Sequence, residues 1–298
     1  MDVALFPEEG SLEPEAPLSR LTTWRIGGPA RYLGRVRTEA ALSRLLRAAA
    51  AEGLPTALLG MGSNVLVADA GFPGLVLRLE GDFLVVRVEG ERIRAGGGAA
   101  LGGVCAAAAR AGLSGIEAIS GIPSSIGGAV RINAGAYGGE LFDVLEEVSL
   151  VAPDGKARRV PAAEVAHGYR WTALIASREI VTEALLRLSP APKERIAEKT
   201  RAVADQRRGA LPSEPNAGSV FKNPEGDYAG RLIEACGLKG ERRGEALISP
   251  RHANVIVNTG AARAADVLEL MRLMRDAVRA KFGVTLMPEV EFMGLKWE

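Results

Sequence analysis

The sequence predicts an α+β fold with more than one domain, and three observations support this prediction. Helical and extended hydrophobic patterns alternate along the chain, and several of the extended patterns pair as local hairpins. The 298 residues are enough for two or three domains, since a single core rarely grows beyond about 250–300 residues. Near residue 195 the pattern changes to a charged amphipathic helix followed by a loop, and we place a domain boundary there.

The first elements are a helix and several short strands. Residues 38–55 predict a helix that begins after Thr38, a suitable N-cap, and ends at Gly53 with Pro55 beyond it. Short apolar runs cut by glycine predict strands within 56–64, 65–69 and 75–81. Residues 83–96 predict a hairpin that turns at Gly90. Strands that bracket a helix in this way indicate an α+β unit.

The remaining elements continue this pattern to the end of the chain. Helices are predicted at 100–119, 192–208, 227–238 and 264–283, a hairpin at 146–161 with its turn at Asp154-Gly155, and strands at 179–188, 252–260 and 284–294. We therefore divide the chain into residues 1–80, 81–194 and 195–298, with the last strand (284–298) returning toward the N-terminal part. Residues 1–18 are acidic and rich in proline, and we expect them to be disordered.

Composition excludes several classes of function. The formal net charge is +1 and 24% of residues are charged, which predicts no nucleic-acid or membrane partner and favours a small molecule. No stretch approaches the length of a membrane span, and the N-terminus lacks the pattern of a signal peptide, so we expect a cytoplasmic protein. Cys105 and Cys236 lie in apolar contexts and predict reduced core residues. Neither they nor the two histidines have metal-ligand spacing, which predicts no metal.

Three glycine-rich segments, residues 60–64, 95–103 and 121–139, are candidates for ligand binding. None fits the dinucleotide fingerprint or the P-loop pattern. Glycine nevertheless allows backbone N–H groups to approach an anion closely. For residues 95–103 a tight strand-to-helix turn is the simpler interpretation. Residues 121–139 contain six glycines together with Asn133 and Tyr137, which exceeds what turns require.

Seven segments, in order and with matching spacing, resemble the UDP-N-acetylenolpyruvoylglucosamine reductases, the flavoenzymes that make UDP-N-acetylmuramate for peptidoglycan. The segments are TTWRIGGPARYL, LLGMGSNVLVAD, GLSGIEAISGIPSSIGGAVRINAGAYGGE, NAGSVFKNP, AGRLIEACGLKG, SPRHANVIVN and FGVTLMPEVEFMG. The resemblance extends from about residue 20 to residue 294. The connection between KNP and GLKG is short, as in the compact subclass that lacks an inserted loop.

The resemblance implies an FAD-binding fold of the vanillyl-alcohol-oxidase (PCMH) type. Residues 1–80 and 81–194 would be its two subdomains, and residues 195–298 an α+β substrate domain. The implied cofactors are noncovalent FAD and NADPH as hydride donor, and the implied substrate is UDP-N-acetylglucosamine enolpyruvate. The family motifs place these residues against FAD: Gly60, Gly62, Ser63, Asn64, Gly121, Ile122, Pro123, Ser124, Gly127, Gly128, Asn133, Ala134 and Gly135. The family usually has glycine where this chain has Ser124, and a positive φ there would destabilise the loop by about 1–2 kcal/mol.

Three positions match the catalytic motifs of the family. Ser219 would donate the proton to the substrate carbon, with Lys222 stabilising its alkoxide; the alternative is a capping or loop serine. Arg170 would hold the enolpyruvyl carboxylate; the alternative is a surface cation–π pair with its aromatic neighbours. Glu289 would polarise or protonate the intermediate. Glu291 lies on the same predicted strand face, and only the family motif selects Glu289.

The resemblance implies four substrate-binding candidates: Tyr169, Lys222, Asn223 and Arg231. We expect His252 to be a structural residue, and we expect a monomer. The implied role is in cell-wall biogenesis, and through it in cell shape and division. Two alternatives remain: a noncatalytic binder of FAD or nucleotide sugar, and an FAD-dependent sugar or alcohol oxidase of the same fold. Many such oxidases attach flavin covalently through His or Cys, and no His or Cys lies inside the glycine segments here, which disfavours the oxidase.

Overall fold

The computed structural model describes residues 8–298, and the chain divides into two compact units. Unit 1 contains the residues up to 14, 32–61 and 74–207, and unit 2 contains 15–31, 62–73 and 208–298. Segments 15–31 and 62–73 therefore pack with the C-terminal part of the chain rather than with their sequence neighbours. The division at residues 80 and 194 stays a prediction.

The described residues form seven α-helices and 21 strands, numbered in chain order. The helices are α1 (Glu39–Ala51), α2 (Leu101–Ala111), α3 (Ile126–Arg131), α4 (Leu174–Ser177), α5 (Lys193–Ala210), α6 (Ala229–Ala235) and α7 (Ala264–Phe282). The first twelve strands are β1 (Gly10–Pro17), β2 (Pro29–Val36), β3 (Thr56–Leu58), β4 (Val65–Val67), β5 (Phe72–Leu79), β6 (Val86–Glu89), β7 (Arg92–Gly96), β8 (Leu113–Ser114), β9 (Gly135–Ala136), β10 (Gly139–Glu140), β11 (Leu145–Val151) and β12 (Ala157–Pro161). The remaining strands are β13 (His167–Gly168), β14 (Trp171–Thr172), β15 (Ile180–Arg187), β16 (Ser189–Pro190), β17 (Asn216–Ser219), β18 (Arg242–Arg243), β19 (Ala246–Ile248), β20 (Val255–Asn258) and β21 (Glu291–Met293).

Unit 1 is built on two sheets, ordered β1-β2-β5-β3 and β12-β11-β15-β7-β6. Helix α1 begins as predicted, because the Thr38 hydroxyl accepts the N–H of Ala41 at 3.2 Å. Its apolar face, with Leu42 and Leu45 fully buried, packs on the first sheet in a core that includes Leu75. Helices α2 and α3 contribute to a second core with β7, β11 and β15 of the five-stranded antiparallel sheet. The predicted hairpins at 83–96 and 146–161 are confirmed in that sheet.

Unit 2 is built on the antiparallel sheet β17-β20-β19-β18, with α6 and α7 contributing to its core. Trp24 is fully buried in that core, and its indole N–H donates to the C=O of Ile256 at 2.7 Å. Strand β21 pairs in parallel with β4, so the last strand of the chain returns to segment 62–73, within the same unit. The predicted end of the long helix at Gly283 is confirmed, with φ +71° at that glycine.

Several predictions were wrong in extent. Helix α2 ends at Ala111 rather than at residue 119, because Gly112 adopts a left-handed conformation with φ +70°. The predicted strand over 284–294 is regular only at β21. The predicted disorder of residues 1–18 is wrong for residues 10–17, which form β1, and residues 1–7 lie outside the described part of the chain.

Candidate active site

Ser219 ends β17, and a β-bulge sets its position. Asn216 and Ser219 pair with Val257 and Val255, so three steps on β17 oppose two on β20. Gly218 adopts φ +72° within this bulge, and its N–H donates to Oδ1 of Asn216 at 2.8 Å. A bulge redirects the side chain that follows it. The glycine before Ser219 is therefore required by the backbone conformation, and the serine itself is half-buried.

Glu289 lies beside the segment that follows Ser219. Its N–H donates to the C=O of Val220 at 2.9 Å, and the N–H of Lys222 donates to the C=O of Met287 at 2.8 Å. A bridge between Phe221 and Pro288 completes this short antiparallel pairing. The structure therefore brings the Ser219 segment and Glu289 together, with Glu289 two residues ahead of β21 rather than within a strand.

Asn64, predicted to contact FAD, also supports Glu289. Its side-chain N–H donates to the C=O of Glu289 at 3.1 Å, and its C=O accepts the N–H of Glu291 at 3.0 Å. Gly62 packs against the backbone of Leu21 within unit 2, since a Cβ on Gly62 would lie 2.1 Å from the C=O oxygen of Leu21. The end of the first glycine segment is thus hydrogen-bonded to the backbone of both candidate carboxylates, Glu289 and Glu291.

Two of the substrate-binding candidates make local structural contacts. The Asn223 side-chain oxygen accepts the N–H of Ala229 at 3.1 Å, at the start of α6. Arg231 forms a bidentate ion pair with Asp227, which lowers the pKa of that carboxyl to about 2. Both side chains are therefore hydrogen-bonded within unit 2, and contact of either residue with substrate stays a prediction.

Arg170 lies in unit 1, in the two-residue turn between β13 and β14. Its φ is +52°, an unusual conformation for a residue with a side chain. The guanidinium donates to the C=O of Gly135 and lies 5.0 Å from the ring centroid of Tyr169. A Cβ at Gly135 would lie 3.1 Å from Nη1 of Arg170, so the glycine makes room for the arginine. The cation–π pair considered from the sequence is thus present. The same guanidinium also joins Arg170 to the third glycine segment, through its hydrogen bond to Gly135.

Buried polar side chains fix this turn on the third glycine segment. Asn133, fully buried with φ +46°, donates from its amide to Glu140 at 2.7 Å and to the C=O of Gly168 at 3.3 Å. Thr172, also fully buried, donates to the C=O of Arg131 at 2.6 Å. Asn133 was predicted to contact FAD, and the structure shows that it holds the loop beside Arg170.

A cleft of about 510 Å³ in unit 1 is lined by residues of all three glycine segments. Apolar side chains, glycines and two arginines share its wall: Arg37, Leu58, Leu59, Gly60, Met61, Arg78, Leu79, Glu80, Gly81, Leu84, Gly97, Gly98 and Ser125. Burial and the neighbouring charge of Arg35 lower the pKa of Arg78, so an anion in the cleft would stabilise its charge. Sequence reasoning missed Arg37 and Arg78, because isolated arginines carry no recognisable pattern.

Gly60 and α3 pack too closely in this cleft for another side chain. A Cβ on Gly60 would lie 2.6 Å from Oγ of Ser125, the N-cap residue that accepts the N–H of Gly128 at 3.2 Å. The N–H of Gly127 donates to the C=O of Gly97 at 2.8 Å, which ties the second and third glycine segments together. A cleft with apolar side chains, exposed backbone, and two arginines against one carboxylate, Glu80, fits an anionic dinucleotide such as FAD.

Ser124 carries no backbone strain. The described non-glycine residues with positive φ are Glu15, Arg25, Asn133, Tyr137, Arg170 and Arg178. Ser124 is absent from this set, and its hydroxyl donates to the C=O of Ser125 at 2.9 Å. The penalty considered for serine at this family glycine therefore does not arise.

Arg207, near the end of α5, is a further residue that the sequence did not reveal. Its Cδ lies 2.8 Å from where a Cβ on Gly121 would be, so the glycine admits the arginine. Within residues 8–298 no carboxylate pairs with its guanidinium, and burial lowers its pKa. A half-buried cation beside the third glycine segment would favour an anionic ligand there.

The described part of the chain offers neither a metal site nor a membrane span. Within residues 8–298, no group of three or more His, Cys, Asp and Glu could hold a metal ion. None of the helices in that range is both long and apolar enough to cross a membrane. His252 accepts the N–H of Asn254 through Nδ1 at 3.2 Å, and burial lowers its pKa, which suits the structural role expected for it.

Comparison with known proteins identifies the family. Residues 30–161 match the FAD binding domain family, and residues 211–293 match the C-terminal domain of UDP-N-acetylenolpyruvoylglucosamine reductase. The chain is 46% identical to UDP-N-acetylenolpyruvoylglucosamine reductase 2 of Symbiobacterium thermophilum, covering 98% of this chain and 95% of the relative. It is 44% identical to the reductase of Moorella thermoacetica, covering 93% and 92%.

A solved structure gives the same result. The crystal structure of UDP-N-acetylenolpyruvylglucosamine reductase from Thermus caldophilus matches with a TM-score of 0.83 and 42% identity, covering 95% of this chain and 98% of that one. The predicted fold class and the family resemblance are both confirmed. The chain belongs to the UDP-N-acetylenolpyruvoylglucosamine reductase family.

Proposed function

We propose that this protein uses NADPH and bound FAD to reduce the enolpyruvyl group of UDP-N-acetylglucosamine enolpyruvate, giving UDP-N-acetylmuramate. The observation that carries this proposal is the 46% identity over 98% of the chain to a relative of that name. The clustering of the Ser219 segment, Glu289 and Asn64 in one unit supports it, because a reductase needs a proton donor and a noncatalytic binder does not.

The cleft of unit 1 is the proposed site for FAD. Gly60, Gly97 and Ser125 would present backbone and hydroxyl groups to the cofactor, and Arg37 and Arg78 would balance its negative charge. When bound, FAD supplies the hydride that one alkene carbon takes up. Arg207 is proposed to hold an anionic group near Gly121, since its charge has no carboxylate partner in the described part of the chain.

Ser219 is the proposed proton donor. Reduction of the enolpyruvyl double bond requires a proton on the carbon that does not receive hydride. The hydroxyl of Ser219 would lose its proton to that carbon, and the ammonium of Lys222 would stabilise the resulting alkoxide. Glu289 would lie beside the reacting group, because its backbone is bonded to Val220, one residue from the serine. Solvent then returns the proton to the serine.

Arg170 is the proposed partner of the enolpyruvyl carboxylate. Negative charge grows on that carboxylate as hydride arrives, and a planar guanidinium can bond both of its oxygens. The contacts of Arg170 with Gly135 and Tyr169 leave its position fixed before substrate binds, which favours stabilisation of the transition state. Tyr169, Lys222, Asn223 and Arg231 are proposed to contact the nucleotide sugar.

The finer setting of this activity is also a proposal. We infer a cytoplasmic monomer whose product enters peptidoglycan synthesis, and through it cell shape and division. The substrate is a nucleotide sugar, and the near-neutral net charge of +1 is consistent with a small-molecule partner rather than nucleic acid.

Anaerobic visible spectroscopy of the purified protein tests the proposal. NADPH should bleach the flavin absorbance, and UDP-N-acetylglucosamine enolpyruvate should then restore it with formation of UDP-N-acetylmuramate. Bleaching without recovery would refute the substrate. Recovery only with oxygen, together with oxidation of a sugar or alcohol, would indicate an oxidase. Flavin that binds but never bleaches would indicate a noncatalytic binder.

A further inference from the structure

Asn254 clamps the backbone directly after the candidate proton donor. Its side-chain oxygen accepts the N–H of Phe221 at 3.1 Å, and its side-chain N–H donates to the C=O of the same residue at 2.8 Å. Its backbone C=O accepts the N–H of Val220 at 2.9 Å. Asn254 is only 2% exposed, so these bonds are shielded from water.

The Asn254 side chain supplies backbone hydrogen bonds beyond the point where the pairing of β17 with β20 ends. Strand β17 ends at Ser219, after its bulge, so Val220 and Phe221 have no regular strand partner on that side within the described residues. The amide of Asn254 supplies one acceptor and one donor to Phe221, which is what a neighbouring strand would supply. On the other side, the C=O of Val220 accepts the N–H of Glu289. The segment is thus fixed between Asn254 and Glu289.

The clamp is itself fixed by its neighbours. The N–H of Asn254 donates to Nδ1 of His252 at 3.2 Å, and a Cβ on Gly230 of α6 would lie 3.3 Å from Cε1 of that imidazole. Close packing of this kind restricts the His252 ring, and through it the start of β20.

We propose that Asn254 is a positioning residue for the proton-transfer step: it holds the segment from Ser219 to Lys222 in the geometry from which the serine hydroxyl donates. The inference rests on the proposed role of Ser219. Hydride transfer from NADPH to the flavin needs no proton from Ser219, so loss of Asn254 should slow the step that consumes the enolpyruvyl sugar and spare the reduction by NADPH.

Asn258 provides a matched control in β20, the strand that begins directly after Asn254. It is 4% exposed, and its side chain makes three hydrogen bonds, to the C=O of Trp24 and to the N–H groups of Gly260 and Ala262. None of these partners adjoins Ser219. The variants Asn254→Ala and Asn258→Ala therefore each remove a buried amide that bonds to backbone, with different neighbours.

Stopped-flow measurement of the two half-reactions, with thermal unfolding of each variant, tests the proposal. Asn254→Ala should slow flavin reoxidation by substrate about 10- to 100-fold and leave reduction by NADPH within about twofold of wild type. Asn258→Ala should lower the unfolding temperature and leave both half-reactions within about twofold. Asn254→Asp, which keeps the acceptor and the volume, provides a second variant if the alanine variant does not fold, and it should show the same selective slowing.

A double mutant separates this inference from the proposed function. If Asn254 acts through Ser219, Asn254→Ala should add less than about threefold to the loss already present in Ser219→Ala. Amide hydrogen exchange at Val220 and Phe221 should also rise in Asn254→Ala and not in Asn258→Ala. Two results would overturn the inference even if Ser219→Ala is impaired. One is reoxidation of the flavin at the wild-type rate in both Asn254→Ala and Asn254→Asp. The other is equal slowing of reoxidation in Asn258→Ala. An unimpaired Ser219→Ala would instead refute the role of the serine.

Discussion

The two candidate regions of this protein are built in opposite ways. In the cleft of unit 1, glycines such as Gly60 and Gly97 leave out side chains, so that backbone and N-cap groups form the surface. Around Ser219 in unit 2, the amides of Asn64 and Asn254 add side chains that bond to backbone and fix it. The difference suggests that one region is shaped to admit a large cofactor and the other to hold a small reactive group still.

The largest expected effect is in unit 2, from removal of the proposed proton donor. Ser219→Ala should slow reoxidation of the flavin by substrate about 10²- to 10⁴-fold, the usual contribution of a general acid, and leave its reduction by NADPH unchanged. Rapid-mixing spectroscopy of the separate half-reactions measures both rates. Equal slowing of both steps would assign the serine a structural role.

A side chain added to the cleft of unit 1 should produce the next largest effect. Gly60→Ala would place Cβ 2.6 Å from Oγ of Ser125, so one of these two residues must shift, and both line the cleft. Because the wall of the proposed FAD site changes, we expect FAD binding weaker by about 5- to 150-fold, which corresponds to about 1–3 kcal/mol. Titration of the apoprotein with FAD gives this value. The control is Gly103→Ala, an exposed position of α2 with no atom near the added Cβ. It should bind FAD normally and raise the free energy of unfolding by about 1 kcal/mol.

A smaller effect should follow from Arg170→Lys. Lysine keeps the charge and loses the paired donors, so we expect kcat/KM for the enolpyruvyl sugar to fall about tenfold, with flavin reduction unaffected. Steady-state kinetics with NADPH held saturating would measure it. An Arg170→Lys enzyme with wild-type kcat/KM would refute the proposed role of the paired guanidinium donors.

The smallest effect concerns the two cysteines, one in each unit. Burial raises the pKa of the Cys105 thiol to about 12, whereas Cys236 is half-buried. In the folded protein at pH 8, iodoacetamide should modify Cys236 and spare Cys105, as mass spectrometry would show. Because the unfolded thiol ionises near pH 9 and the folded one does not, the contribution of Cys105 to stability should decline as pH rises from 9 toward 12. Prompt labelling of Cys105 would contradict its burial.

Local signals in the sequence predicted most of the fold. Thr38 and Gly53 bounded α1, and Gly90 and Asp154-Gly155 marked the two hairpins of the five-stranded sheet. The same reasoning overextended α2, because the apolar pattern continues past Gly112, and a left-handed glycine ends a helix whatever the following residues are.

The candidate site was predicted less completely. Family motifs selected Ser219, Arg170 and Glu289, but no local pattern could show that Asn64 bonds to Glu289, which lies 225 residues away. Asn254 is 33 residues from Phe221, and in the sequence it is simply one residue of the strand predicted over 252–260. Such contacts depend on how distant segments pack, and a single sequence carries no signal for that packing.

The most direct test of this account compares Gly60→Ala with Ser219→Ala in one anaerobic experiment, with FAD, NADPH and the enolpyruvyl sugar added in turn. We predict that Gly60→Ala retains little flavin and, once saturated with FAD, bleaches and recovers at rates near wild type. Ser219→Ala should retain flavin and bleach normally, and then recover about 10²- to 10⁴-fold more slowly. The same defect in both variants would contradict the assignment of cofactor binding to one region and proton donation to the other.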